Sequence, residues 1–202
     1  MRSFPIYGAF LVALLAASAR GQSAPGPASL MLNEEAADEA SAAAIPFGDA
    51  GSRYWTVLTG AAFVHDSTDA NVYAGMGFFL TDRFEFNFGL GGWWFWQEGE
   101  DTGGVNPAIG FRYHFMPHEA FNVYLDAGIG LLFSGDDVPE NGESVNFTPR
   151  AGVGTLWRLG ESGARLDVGV RWHHISTAST SGSDDNPSRD SAMVYAGVVF
   201  PF

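Results

Sequence analysis

From Arg53 to the C-terminus, apolar and polar residues alternate with a period of two, and no 3.6-residue periodicity competes with it. Aromatic and β-branched residues cluster in runs with internal glycines, as in strands. The pattern predicts eight strands, at 53–64, 70–80, 83–97, 104–115, 120–133, 144–158, 163–177 and 190–202. They run 11 to 15 residues. Soluble strands average about 5–6 residues, whereas a tilted strand crossing a bilayer needs about 9–11. The connections alternate too. Thr81-Asp82, Met116 to Glu119 and Leu159 to Ser162 are short; 98–103, 134–143 and 178–189 are longer and acidic, and 65–69 is intermediate. Outer-membrane barrels have short periplasmic turns and longer outer loops. Eight strands with both termini periplasmic put every longer loop outside. The even positions of the last segment are Ala192, Val194, Ala196, Val198, Phe200 and Phe202, an unbroken apolar face. The expected fold is all-β: an eight-stranded antiparallel transmembrane β-barrel of the outer membrane. A soluble lipocalin-type barrel or β-sandwich would also alternate, but with shorter strands.

The residues before the barrel read differently. Arg2, an apolar stretch from Phe4 to Ala17 and the Ala17-Ser18-Ala19 triplet fit a signal peptide over 1–21. Residues 22–50 are rich in Ala, Ser, Pro and acid and read as a flexible periplasmic linker, leaving 51–202 for the barrel.

Composition narrows the function classes. The chain has no cysteine, so disulfides and thiolate metal sites are excluded. All ten basic residues are arginine, and the net charge is −13. Loss of Arg2 and Arg20 with the signal leaves eight arginines against 23 acids, a net of −15. An acidic surface argues against nucleic acid as a partner. Mean hydropathy is only +0.02, which a lipid-facing apolar side averaged with a polar lumen and acidic loops would produce. An eight-stranded barrel is filled by side chains and has no wide pore. Trp93, Trp94, Phe95 and Trp96 are expected in the outer aromatic girdle, and Trp55, Tyr113, Phe115, Trp157 and Phe202 in the periplasmic one. Asp136, Asp137, Glu140, Glu143, Asp184 and Asp185 lack calcium-loop spacing and read as solvated loop acids, with divalent-cation bridging the sharper alternative. No metal site and no cofactor are expected.

Chemistry concentrates on the seventh segment, Arg165 to Ser176. Its even positions are Leu166, Val168, Val170, Trp172, His174 and Ser176. This face is apolar until its outer end, where it delivers a histidine and a serine side by side toward lipid. His173, of opposite parity, is expected in the lumen with Arg171 and Asp167.

The stretch His174-Ile175-Ser176, followed by Asn186-Pro187-Ser188-Arg189-Asp190, resembles the lipid A 3-O-deacylase (PagL-type) family of outer-membrane acyl hydrolases. The resemblance implies an eight-stranded barrel acting on lipid A of lipopolysaccharide as a carboxylic ester hydrolase. It implies His174 as general base, Ser176 as nucleophile and Asp190 as the orienting acid. By parity Asp190 shares the lipid face of the last strand, so the three can converge. Three departures stand out. Thr177 occupies the position of the family's oxyanion-supporting Asn, Ser179 replaces Gly, and the acid is Asp rather than Glu. Losing an oxyanion donor costs about 100- to 1,000-fold in rate. Arg189, beside Asp190, is a candidate contact for a lipid phosphate. Lipid A, the outer membrane and a second copy of this chain are the candidate partners. The alternative from another class is a non-catalytic barrel with a structural or interaction role.

Overall fold

The computed structural model describes residues 45–65, 67–117, 120–178 and 187–202. The expected signal peptide, most of the linker, Ser179, Asp184, Asp185 and Asn186 lie outside the described residues. Nine strands follow one another: β1 (Arg53–Val64), β2 (Ser67–Thr81), β3 (Phe84–Phe95), β4 (Thr102–Pro117), β5 (Phe121–Val138), β6 (Glu143–Phe147), β7 (Arg150–Arg158), β8 (Arg165–Ile175) and β9 (Arg189–Pro201). Each pairs antiparallel with its neighbours, and β9 closes the sheet on β1.

β6 and β7 are two halves of one stave. Pro149 has no N–H to give the ladder, and the strand lapses there. The register nonetheless runs unbroken from Gly128↔Arg150 to Leu131↔Phe147. Between them Thr148 and Gly130 exchange both backbone hydrogen bonds. The barrel therefore has the eight staves expected.

Alternation sorts the side chains. Trp55, Val57, Val72, Leu125, Val170 and Trp172 are among the large apolar residues left exposed on the outer wall. A surface so apolar is suited to lipid. The inner side holds a charged layer at mid-height. Arg112 Nη2 lies 3.0 Å from Asp167 Oδ2, and Arg171 Nε lies 3.4 Å from Asp126 Oδ1. The two guanidinium groups also sit over the rings of Tyr124 and Tyr195, at 4.3 and 3.9 Å. An apolar cluster including Trp93, Phe95, Leu132 and Met193 seals this layer on the outer side. Tyr54, Phe79, Leu156 and Val199 seal it on the periplasmic side.

Tight packing around the tyrosines needs missing side chains. A Cβ at Gly77 would overlap the ring of Tyr54, and one at Gly169 would overlap that of Tyr195. Residues 46–52, which reach into the expected linker, turn back on the mouth. Phe47 packs 5.5 Å from Tyr54 and 5.2 Å from Phe79, with the Arg165 guanidinium 4.4 Å from its ring.

The periplasmic girdle includes stacked pairs, Trp55–Phe202 and Phe121–Trp157. The outer girdle differs from expectation. Trp94 and Trp96 face outward, but Trp93 and Phe95 are buried in the lumen. They sit at inward positions of the alternation, which an unbroken aromatic run conceals. His173 does face inward, but its ring stacks on Trp93 at 4.6 Å rather than joining the Arg171–Asp167 region by hydrogen bonds.

Candidate active site

The outer end of β8 meets the start of β9 with His174 opposite Asp190. On its other side β8 meets the β6–β7 stave: the N–H of His174 donates to the Pro149 carbonyl, and Ser176 forms a bridge with Phe147. His174 is thus fixed by ladders on both sides. Period-2 geometry then sends its ring and the Ser176 hydroxyl to the same outward side.

The three side chains form a chain of contacts. His174 Nδ1 lies 3.0 Å from Asp190 Oδ1, and His174 Nε2 lies 3.0 Å from Ser176 Oγ. Nδ1–H donating to the carboxylate, with Nε2 accepting from the hydroxyl, satisfies both contacts. Trp172 completes the group. Its indole N–H donates to Asp190 Oδ1 at 2.7 Å, and its ring stacks on His174 with centroids 5.5 Å apart. Exposure is graded, with the Asp190 side chain 58 % exposed, that of His174 21 %, and Ser176 6 %.

Below this group the outer wall carries an apolar cleft of about 760 Å³. Phe63, Ala151, Val153, Val170, Trp172 and Val194 line it, and Asp190 stands at its edge.

Two of the expected site residues need comment. Arg189 does not face a lipid phosphate. It is 8 % exposed and turned into the barrel, where its guanidinium grips Asp69. Its odd position on β9 dictates this, since the even positions there face lipid. Thr177 follows the Ser176 bridge just beyond β8 and is buried, at 3 % exposure. The N–H of Ser176 is taken by the Phe147 carbonyl at 3.1 Å. Ala178 then adopts φ of 52°, a left-handed conformation uncommon outside glycine. Among the described residues no three His, Asp or Glu side chains gather as a metal site.

A model of the family described as lipid A 3-O-deacylase (PagL) matches residues 67–199. The chain belongs to this family. The PagL match takes in every strand from β2 to most of β9, including the His174–Ser176–Asp190 group. No curated protein matches. Among solved structures, the outer membrane enzyme PagL aligns with a TM-score of 0.59 at 19 % identity, over 73 % of this chain and 99 % of that one. The N-terminal β-barrel domain of Pseudomonas aeruginosa OprF gives 0.56 at 17 %, over 76 % and 98 %. Neisserial surface protein A gives 0.53 at 15 %, over 75 % and 96 %. At these identities the structures speak for the fold alone. Family and fold together place the chain in the Gram-negative outer membrane.

Proposed function

We propose that this protein is an outer-membrane esterase that removes an ester-linked acyl chain from lipid A by a Ser-His-Asp mechanism. The observation that carries the reading is the Asp190–His174–Ser176 chain of two 3.0 Å contacts on the outward wall, at the head of an apolar cleft. A serine hydroxyl is a weak nucleophile until a base takes its proton. His174 Nε2 is in place to take it as Ser176 Oγ attacks the ester carbonyl carbon. Asp190 holds the ring in the required tautomer and stabilises the imidazolium that forms. The tetrahedral intermediate collapses by breaking the ester C–O bond. His174 returns the proton to the departing sugar oxygen, leaving an acyl-Ser176. Water, deprotonated by the same imidazole, then releases the fatty acid. The hydroxyl of Thr177 is the candidate oxyanion donor in place of the family's Asn.

Facing lipid, the group meets its substrate where the substrate resides, and the acyl chain need not leave the bilayer to react. Lipid A from cells expressing the wild type is expected to lose the mass of one ester-linked acyl chain. Ser176→Ala is expected to leave lipid A intact while still inserting as a heat-modifiable barrel. Mass spectrometry of extracted lipid A decides. A wild type that trims no lipid A offered to it leaves the non-catalytic barrel as the reading.

A further inference from the structure

The orienting carboxylate sits on a strand end that the sheet supports on one side only. The β1–β9 ladder stops at Phe63↔Ala192. Among the described residues, Arg189, Asp190 and Ser191 are therefore laddered to β8 alone, opposite Ile175, His174 and His173. A one-sided ladder leaves a strand end free to swing about its remaining hydrogen bonds. Any swing at Asp190 changes its distance to His174, and the Asp190 side chain, held at its tip by Trp172 and His174, is more than half exposed.

The missing support comes from the residue next to it. Arg189 turns inward and spans β1 to reach β2. Its Nε donates to Asp69 Oδ2 at 2.9 Å and its Nη2 to Asp69 Oδ1 at 2.6 Å, a two-pronged fork on one carboxylate. The same Nη2 lies 2.6 Å from Ser67 Oγ and 3.1 Å from the carbonyl oxygen of Trp96, just beyond β3, one of its two hydrogens being shared. Asp69 is 1 % exposed, and among the described residues its ionic partner is this guanidinium. One arginine thus ties the start of β9 to β2 and to the end of β3. The tie lies within the lumen while its chain neighbour Asp190 faces lipid. It carries no chemistry, but it fixes the backbone from which the catalytic carboxylate projects.

We propose that Asp69, acting through Arg189, is a positioning residue for Asp190 in the Ser-His-Asp reaction. The proposal rests on the esterase reading above. Misplacing a catalytic group by about 1 Å costs on the order of 100-fold in rate. In the full-length barrel folded in detergent with lipid A as substrate, Asp69→Asn is expected to lower kcat about 10- to 100-fold with KM within about twofold. The decisive measurement is a double-mutant cycle with Asp190→Ala. If Asp69 works through Asp190, adding Asp69→Asn to Asp190→Ala costs nothing further. Independent losses that multiply would mean general loosening of the barrel and overturn the proposal, as would an unchanged kcat in Asp69→Asn.

Removing Asp69 strands a buried arginine and can compromise folding. If Asp69→Asn gives no heat-modifiable barrel, Ser67→Ala answers instead. It removes one prong and keeps the ion pair, with an expected fall in kcat of about twofold to tenfold that also vanishes in the Asp190→Ala background. An inactive wild type sinks the esterase reading and this role with it. An active wild type whose cycle shows no coupling sinks the positioning role alone.

Discussion

Trp172 shows how much one side chain adds to the site. It holds Asp190 through a 2.7 Å hydrogen bond and lies flat against His174. Trp172→Phe keeps a ring for stacking and removes the donor. Steady-state kinetics on lipid A should show kcat lowered by about threefold to tenfold, consistent with losing one hydrogen bond to a charged group at the surface. An unchanged kcat would reduce the indole to an interface anchor. Most of this site was legible beforehand. A period of two fixes the face of each residue on a strand, and antiparallel pairing brings consecutive strands side by side, so the convergence of His174, Ser176 and Asp190 followed from their positions, while their roles rested on the family resemblance. Trp172 shares that even face two residues before His174, and the same rule points to it. The lipid-phosphate expectation for Arg189 ignored its own parity. Asp69 carried no local signal at all, because its partner lies 120 residues away.

At the level of strands, the predicted bounds of β1 match those observed, while β2, β4 and β5 run further outward than predicted. β5 extends to Val138 through Ser134-Gly135-Asp136-Asp137, which reads as loop because it is polar. Above the membrane a strand no longer needs an apolar face, so hydropathy stops reporting it while backbone hydrogen bonds continue. The glycine–tyrosine fits were equally hidden, since sequence does not say which tyrosine lies over which neighbouring strand. They are testable. Gly169→Ala forces a methyl group into the Tyr195 ring and is expected to destabilise the barrel by about 1–3 kcal/mol. Urea unfolding of the detergent-folded protein should show a lower midpoint. Tyr195→Leu in the same chain should recover part of the loss; a midpoint unmoved by Gly169→Ala would refute the fit.

For the molecule as a whole, the interior matters as much as the wall. Arg112, Arg150 and Arg171 lie among Asp126 and Asp167, with Glu85 reaching Arg112 from the periplasmic end, and apolar clusters pack above and below them. The exposed arginines among the described residues, Arg53, Arg83 and Arg158, stand at the short-turn end. Channel-like charge without a channel is the expected behaviour: the purified barrel in a planar bilayer should give no stepwise ion conductance. Regular single-channel steps from wild type would contradict the sealed lumen. The all-arginine, acidic composition is visible in the sequence; which arginines are buried in the lumen and which stand exposed at the short-turn end is not, because that depends on neighbours distant in sequence.

An outward-facing serine also changes what concentration means for this protein. Molecules that reach Ser176 along the apolar cleft arrive by lateral diffusion in two dimensions. On the proposed esterase reading, turnover then follows the fraction of lipids in the outer leaflet that are substrate, not the amount of lipid per volume. A cell would tune such an enzyme through the make-up of its surface rather than through supply of a solute.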